Sequence, residues 1–423
     1  MLRNVSGRDS SRTVVSGRVV KTRVKPRGLL VACLPLMSFI GGEVQADQLE
    51  SKGFIEDSKL SVLAKNYYFN TDRANDRSNQ KDWSQAFIAN YVSGFTQGTL
   101  GFGVDAFGLW GLKLDAGSGR SGTGNLPVGD DGQPDDSYAR AGGAVKVRIS
   151  NTVLKYGQMM PNSPVFAQST SRLMPQTATG FNLLSTDIRN LSIDAGHFTS
   201  STDQVNTNRD GELWATYAHV TTPTVDYAGG KYKVNDNFAV SLYGSRYEDI
   251  WNQYYGNANY VYAINKDQAL TLDLNVYRTL ESGEAKAGEI NNTTFGLSAG
   301  YKWSAHTFTL AYQQVRGDQP FDYLGFGDTG RAGGSVFLPN SVQYSDFNGP
   351  GEKSWQLRYD LNMANYGVPG LSFMARHLRG FDIDGSHVTS GAYARKYGSD
   401  DREFETNLEA RYVVQSGPAK NLS

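Results

Sequence analysis

The 423-residue sequence contains one cysteine, Cys33. It falls in a segment that reads as an export signal, so the mature chain has no thiol. Disulfide staples, cysteine metal sites and thiol nucleophiles are excluded together. Long apolar runs are equally scarce. After residue 46 nothing approaches the ~18 consecutive apolar residues of a spanning helix, and mean hydropathy is −0.45, which excludes a helical membrane protein. Positive charge is not in excess either. Residues 1–46 carry eight of the 41 Lys and Arg and two of the 42 Asp and Glu, leaving 33 basic and 40 acidic residues, a net charge of about −7. Such a balance argues against a nucleic-acid partner. The five histidines, His197, His219, His306, His377 and His387, show no metal-type spacing.

What is present begins with the signal. Basic residues Arg18, Lys21, Arg23, Lys25 and Arg27 precede the apolar core "GLLVACLPLMSFIGG", and "VQA" ending at Ala46 places small residues at a cleavage site before Asp47. "LVAC" resembles a lipoprotein box, but the apolar core continues past Cys33. Residues 1–46 are therefore expected to be a signal peptide and 47–423 the folded domain.

From Ser58 onward the main signal is period-2 alternation in segments of roughly 8 to 14 residues, punctuated by Gly, Asn, Asp and Pro. Phe295, Leu297, Ala299, Tyr301 and Trp303 interleave with Thr294, Gly296, Ser298, Gly300 and Lys302. Leu270, Leu272, Leu274 and Val276 interleave with Thr271, Asp273, Asn275 and Tyr277. Seventeen such segments run from 58–69 to 403–414, one of them at 183–190 and one at 211–221. Short turns such as "KVNDN", "INKDQ" and "NYGVPG" alternate with long polar loops near 115–138, 160–182, 317–351 and 381–402. Aromatics cluster at strand ends, as in "NYYF" and "QYYG". This pattern predicts an all-β, transmembrane antiparallel β-barrel, apolar face to lipid and polar face to a lumen.

The alternation assigns Lys65, Lys146, Arg148, Lys155, Arg358, Arg376 and Arg411 to the lumen. Basic groups at successive heights would hand a carboxylate along a pore wall, and arginine's planar fork suits that role. Scattered charges of both signs in any water-filled barrel would look the same. In "YGQMMPNSPVFAQSTSRLMPQTATGF" three prolines, Pro161, Pro164 and Pro175, remove ladder donors, so this stretch is not a wall strand. A constriction loop over about 157–182, with Arg172 at the narrowing, and an outward surface loop both fit it.

The motifs "SRLMPQTATGF", "RGFDIDGS", "FDYLGFGD", "NSVQYSDFNGPGEKSWQLRYDL" and "YGVPGLSFMARHLRG" resemble the OprD family of substrate-specific outer-membrane channels, over nearly the whole mature chain and closest to its basic amino-acid branch. The resemblance implies an eighteen-stranded monomeric barrel, rather than a stable trimer, inserted by the barrel-assembly machinery. It also implies a basic ladder, here Lys65, Arg172, Arg358, Arg376 and Arg411, facing an electronegative pocket, here Tyr217, Ser341, Tyr344 and Asp346. The chain stops at "GPAKNLS", where an eighteenth strand would begin, so the last strand is expected to be missing. The implied function is passive diffusion, without a cofactor, of small carboxylate-bearing nutrients, basic amino acids or short peptides first, with zwitterionic antibiotics of similar charge layout as further cargo. A general porin or a cyclic-carboxylate porin is the alternative. Some family members have been catalogued as serine peptidases, which would use His197, Asp249 and Ser335. "GGSVF" is no nucleophile elbow, so no enzyme is expected.

Overall fold

Period-2 alternation builds sixteen long strands in the computed structural model, which describes residues 15–16, 51–73 and 78–423. They are β1 Lys59–Thr71, β2 Gln80–Val92, β3 Gly101–Asp115, β4 Ser137–Ile149, β5 Thr152–Met159, β6 Thr177–Ser185, β7 Leu191–Thr202 and β8 Val225–Lys233, followed by β9 Phe238–Tyr247, β10 Trp251–Asn265, β11 Gln268–Glu281, β12 Asn291–Trp303, β13 His306–Arg316, β14 Lys353–Asn362, β15 Leu371–Ile383 and β16 Asp401–Tyr412. Each pairs antiparallel with the next, from β1 with β2 through β15 with β16. The expected signal peptide lies outside the described residues except for Val15–Ser16, a two-residue strand alongside Tyr67 and Tyr68.

The two faces are inverted relative to a water-soluble sheet. Leu242, Leu310, Leu357 and Leu408 are exposed, while Thr271, Asn275, Gln313 and Ser354 are buried. Exposed leucine on a long sheet is stable only against lipid, where every wall backbone group must be satisfied by its neighbouring strands. A single loop shows that the sheet curls. Residues 160–176 accept a bond from Tyr67 of β1 (Oη to Ser171 O, 3.0 Å), from Tyr247 of β9 (Oη to Val165 O, 2.7 Å) and from Tyr277 of β11 (Oη to Pro164 O, 3.0 Å). Strands ten places apart would lie ~48 Å from each other in a flat sheet, so the wall wraps around this loop.

The turns 150–151, 186–190, 234–237, 266–267 and 304–305, two to five residues each, sit on one rim; the long connections 116–136, 160–176, 203–224, 317–352 and 384–400 sit on the other, together with the three-residue turn 248–250. Three of the long ones fold into the barrel. Leu213–Ala215, Val220–Thr222, Leu324–Phe326 and Arg331–Ala332 form a separate four-stranded sheet. Around it Phe166, Phe198, Tyr247, Trp251, Phe321 and Phe326 make a buried core.

Two sequence expectations are corrected. The segment 211–221 is not a wall strand. It breaks at a turn containing His219, whose φ of 55° reverses the chain, and its two three-residue strands are too short to cross a bilayer. Its alternation is real, with Leu213 and Ala215 buried, but the apolar side meets other loops instead of lipid. The segment expected at 183–190 is instead β6 at Thr177–Ser185, because residues 186–190 are the turn into β7.

Candidate functional site

The basic residues expected along the lumen differ in what holds them. Lys65, on the inner face of β1, donates its Nζ to Thr170 O at 3.1 Å and to Arg172 O. Arg172 donates Nε to Thr123 O at 2.8 Å and lies over the Phe69 ring at 5.3 Å. A second guanidinium, missed in the sequence, shares this spot. A Cβ built on Gly124 would meet Arg331 Nη1 at 2.7 Å and Arg172 Nε at 3.4 Å, so a glycine with φ of 84° lets both cations close on the same backbone. Loop 160–176 thus presents Arg172 beside Arg331, and Arg140 of β4 ties the loops to the wall through Pro175 O, Asp203 O and Asn206 O.

Across β14 to β16, Arg358 and Arg376 are directly opposite in register. Arg358 chelates Asp360 with Nε and Nη2 at 2.8 and 2.7 Å, which neutralises part of its field. Arg376 donates Nε to Asn407 at 2.6 Å, and Arg411 lies on the same face of β16 as Asn407, opposite Ser372. Lys146 and Lys155 share Asp105 at 2.6 and 2.7 Å, which makes them partners in a wall ion cluster. Arg148 stacks on Phe95 at 4.2 Å.

Three of the four expected pocket residues converge. Asp346 accepts Tyr217 Oη at 2.6 Å, Ser341 Oγ at 2.5 Å and Tyr323 Oη at 2.7 Å. Tyr344 does not take that place. Its backbone N–H turns to Glu405 at 3.1 Å and its ring is 68% exposed. Tyr323, within the "FDYLGFGD" motif, supplies the second phenol instead. Burial and the Asp346 charge hold the Tyr217 and Tyr323 hydroxyls well above the usual tyrosine range, so both stay protonated donors.

Asp322 positions the two tyrosines. Its carboxylate accepts the backbone N–H of Tyr217 at 2.9 Å, of Ala218 at 2.8 Å and of Tyr323 at 2.7 Å, together with Tyr393 Oη at 2.9 Å. Burial pushes the carboxyl up to about 6 despite those four donors. On the other side Gln313 of β13 donates to Asp346 O and Phe347 O, at 3.0 and 2.8 Å, and accepts Asn340 N–H. Ser345 bonds Glu403 at 2.7 Å. The segment 340–347 is therefore pinned to the wall at both ends, with its acidic side chain offered to the lumen.

The peptidase-type residues do not assemble. His197 pairs with Asp226 at 2.7 Å on the outward face of the wall, Asp249 sits in the β9 to β10 turn beside Lys286 at 3.4 Å, and Ser335 is fully buried inside. No hydrogen bond joins any two of the three among the described residues.

The family model described as "outer membrane porin, OprD family" matches residues 52–423. Porin D of Pseudomonas aeruginosa is 59% identical over 383 residues, covering 89% of this chain and 86% of its own, and the porin-like protein GalP of Pseudomonas putida is 33% identical over 94% of this chain and 90% of its own. Among solved structures, OprD of P. aeruginosa superposes with a TM-score of 0.78 at 55% identity, covering 89% of this chain and 90% of that one. OpdK of the same organism, solved with vanillate, gives 0.79 at 34% identity, covering 87% and 92%. These likenesses run the length of the domain: the chain belongs to the OprD family of outer-membrane porins and is a substrate-specific channel, not an enzyme.

Proposed function

We propose that this channel passes small carboxylate-bearing nutrients by passive diffusion, basic amino acids and short peptides first, through a grip on both ends of the substrate. The observation that carries the reading is the Asp346 cluster, where two phenols and a serine hydroxyl orient one carboxylate toward the lumen. A cationic side chain would be held there, while Arg172, Arg331, Arg358, Arg376, Arg411 and Lys65 receive the carboxylate. Loop 160–176 acts as the constriction that forces the substrate between them. Zwitterionic antibiotics with the same charge layout would follow the same path. The barrel works as a monomer, since one lumen contains both halves of the site, and reaches the membrane through the barrel-assembly machinery.

A second reading is supported by the likeness to OpdK, whose structure holds vanillate: a carboxylate with no cationic end could use the basic wall alone. Flux into liposomes separates the two. L-Arginine ahead of benzoate and of a neutral sugar of similar size, with the advantage lost in Asp346→Ala, is the expected result. Benzoate in front would move the channel to cyclic carboxylates, and equal rates would leave a general porin.

A further inference from the structure

Within the described strands, lysine and arginine on the outward face of the wall gather at one rim. Lys81 of β2, Arg246 of β9, Arg278 of β11, Arg316 of β13, Lys353 of β14, Arg379 of β15 and Arg402 of β16 occupy outward positions in the alternation, each toward the end of its strand on the rim that carries the long loops. The outward positions near the opposite rim hold aromatic residues such as Tyr232, Tyr301, Trp303, Phe308 and Tyr412, and no lysine or arginine within the described strands. Neither the lumen chemistry nor barrel closure requires cations outside the wall at one level only.

Their pairing narrows the site. Lys353 has Asp382 at 2.9 Å and Arg402 has Asp400 at 3.2 Å. Arg246, Arg278, Arg316 and Arg379 have no carboxylate within salt-bridge distance among the described residues. Two of these four are aligned. Arg278 lies opposite Thr293, and Thr293 opposite Arg316, so the three form one row across three adjacent strands. Arg278 donates Nη1 to the Thr293 hydroxyl at 2.9 Å, and Arg316 lies over the Phe295 ring at 5.2 Å. Two strand spacings set the guanidinium-bearing positions ~10 Å apart, a width that brackets a phosphorylated headgroup. Directly beneath lies the row Val276, Phe295 and Gln314, and below that Leu274, Leu297 and Tyr312 form an apolar row in the same register, which would lie along acyl chains.

We propose that Arg278, Thr293 and Arg316 form a docking site for the phosphate-bearing headgroup of a membrane lipid in the leaflet on the long-loop side. Guanidinium recognises phosphate through charge-assisted, bidentate hydrogen bonds, and at the edge of a hydrocarbon layer that pairing is weakly screened. The flanking Arg246, Lys353, Arg379 and Arg402 extend the same field around the rim and hold the barrel at a defined height in the bilayer.

The test uses the full chain in non-ionic detergent, with phosphatidic acid and phosphatidylcholine of identical acyl chains added in equal amounts and retained lipid counted by native mass spectrometry. The expected result is about tenfold preference for phosphatidic acid in the wild type, lost in Arg278→Gln/Arg316→Gln and kept in good part by Arg278→Lys/Arg316→Lys. Heat-modifiable gel migration and unchanged single-channel conductance establish that each variant is folded. Wild-type protein retaining both lipids equally, or a preference that survives the double glutamine variant, overturns the proposal. Displacement of the lipid by millimolar inorganic phosphate also overturns it, since the row would then be a plain anion site. These readouts do not depend on which substrate the lumen prefers.

Discussion

Replacing Asp346 tests the two-ended grip most directly, because its consequences divide into a structural part and an electrostatic part. In Asp346→Ala, Tyr217, Tyr323 and Ser341 lose the acceptor they share at 2.6, 2.7 and 2.5 Å. Tyr323 is only 4% exposed, so its orphaned hydroxyl costs about 1–3 kcal/mol. Asp346→Asn removes the charge and keeps one of the two acceptor oxygens; with its amide nitrogen toward Ser341, whose hydroxyl can accept, the oxygen still serves both phenols. A substrate cation ~4 Å from the carboxylate gains ~1 kcal/mol at the dielectric of water and ~4 kcal/mol at an effective value near 20. Asp346 is half-buried and faces a wet lumen, which places the gain nearer ~1–2 kcal/mol, or roughly five- to thirtyfold in occupancy. The flux of L-arginine into liposomes, divided by that of a neutral sugar, should fall by about that factor in both variants. The benzoate ratio should hold or rise, since a repelling charge is gone. The wild-type advantage should also shrink between ~0.05 and ~0.5 M salt, as screening shortens. An arginine-to-sugar ratio unchanged in Asp346→Asn, with conductance intact, would refute the reasoning.

Other perturbations probe what frames the site. Phe166 is fully buried and stacks on Phe198 at 4.4 Å and near Tyr227 and Phe326 at 5.8 Å. Phe166→Ala should cost about 3–5 kcal/mol of packing, loosen loop 160–176, and raise both single-channel conductance and current noise. In Gly124→Ala the new methyl meets Arg331 Nη1 at 2.7 Å on a backbone with φ of 84°. It should push the two guanidiniums apart and move the reversal potential in a salt gradient toward lower anion preference. Asp322 gives a pH signature. A carboxyl raised from 3.8 to about 6 by burial binds its proton more tightly in the folded state, so stability is highest below pH ~4 and is lost as pH rises through about 6. That loss is of the order of 3 kcal/mol above pH ~6. Melting in detergent should therefore show the wild type stabilised on going from pH 7 to 5. Asp322→Asn, less stable at both values because Ala218 N–H and Tyr393 Oη lose their acceptor, should lack that pH step.

The wall strands were legible because period-2 alternation reports directly which side chains face lipid. Leu270 to Val276 and Phe295 to Trp303 gave both the strand and its outward face. The segment 211–221 alternates as well, yet its apolar side is covered by protein. Alternation records that one face is apolar, without recording what covers it. The stretch 157–182 was read through its prolines as something other than a wall strand; that holds for 160–176, whereas 157–159 and 177–182 belong to β5 and β6, and the loop's burial comes from contacts with β1, β9 and β11 that no local pattern contains. In the site, Tyr217, Ser341 and Asp346 were named from the family resemblance and do meet. Arg331 and Asp322 were missed because they work through neighbours distant in sequence, Gly124 and Tyr217 among them.

The sequence by itself determined the class: one cysteine confined to the expected signal segment, no apolar run long enough for a spanning helix, alternating strands, and alternating short and long connections together leave an outer-membrane barrel. Local chemistry is enough for this, since lipid outside and water inside act on each residue according to its own side chain. Only the tertiary structure decided which polar groups are bound to each other and which are presented to the lumen. Lys146 and Lys155 are bound to Asp105, Arg358 shares Asp360, and three hydroxyls from separate segments close on Asp346. The physical reason is that a charge acts over a few ångströms in space, and curling the sheet around its own loops brings groups up to 129 residues apart in the chain within that distance.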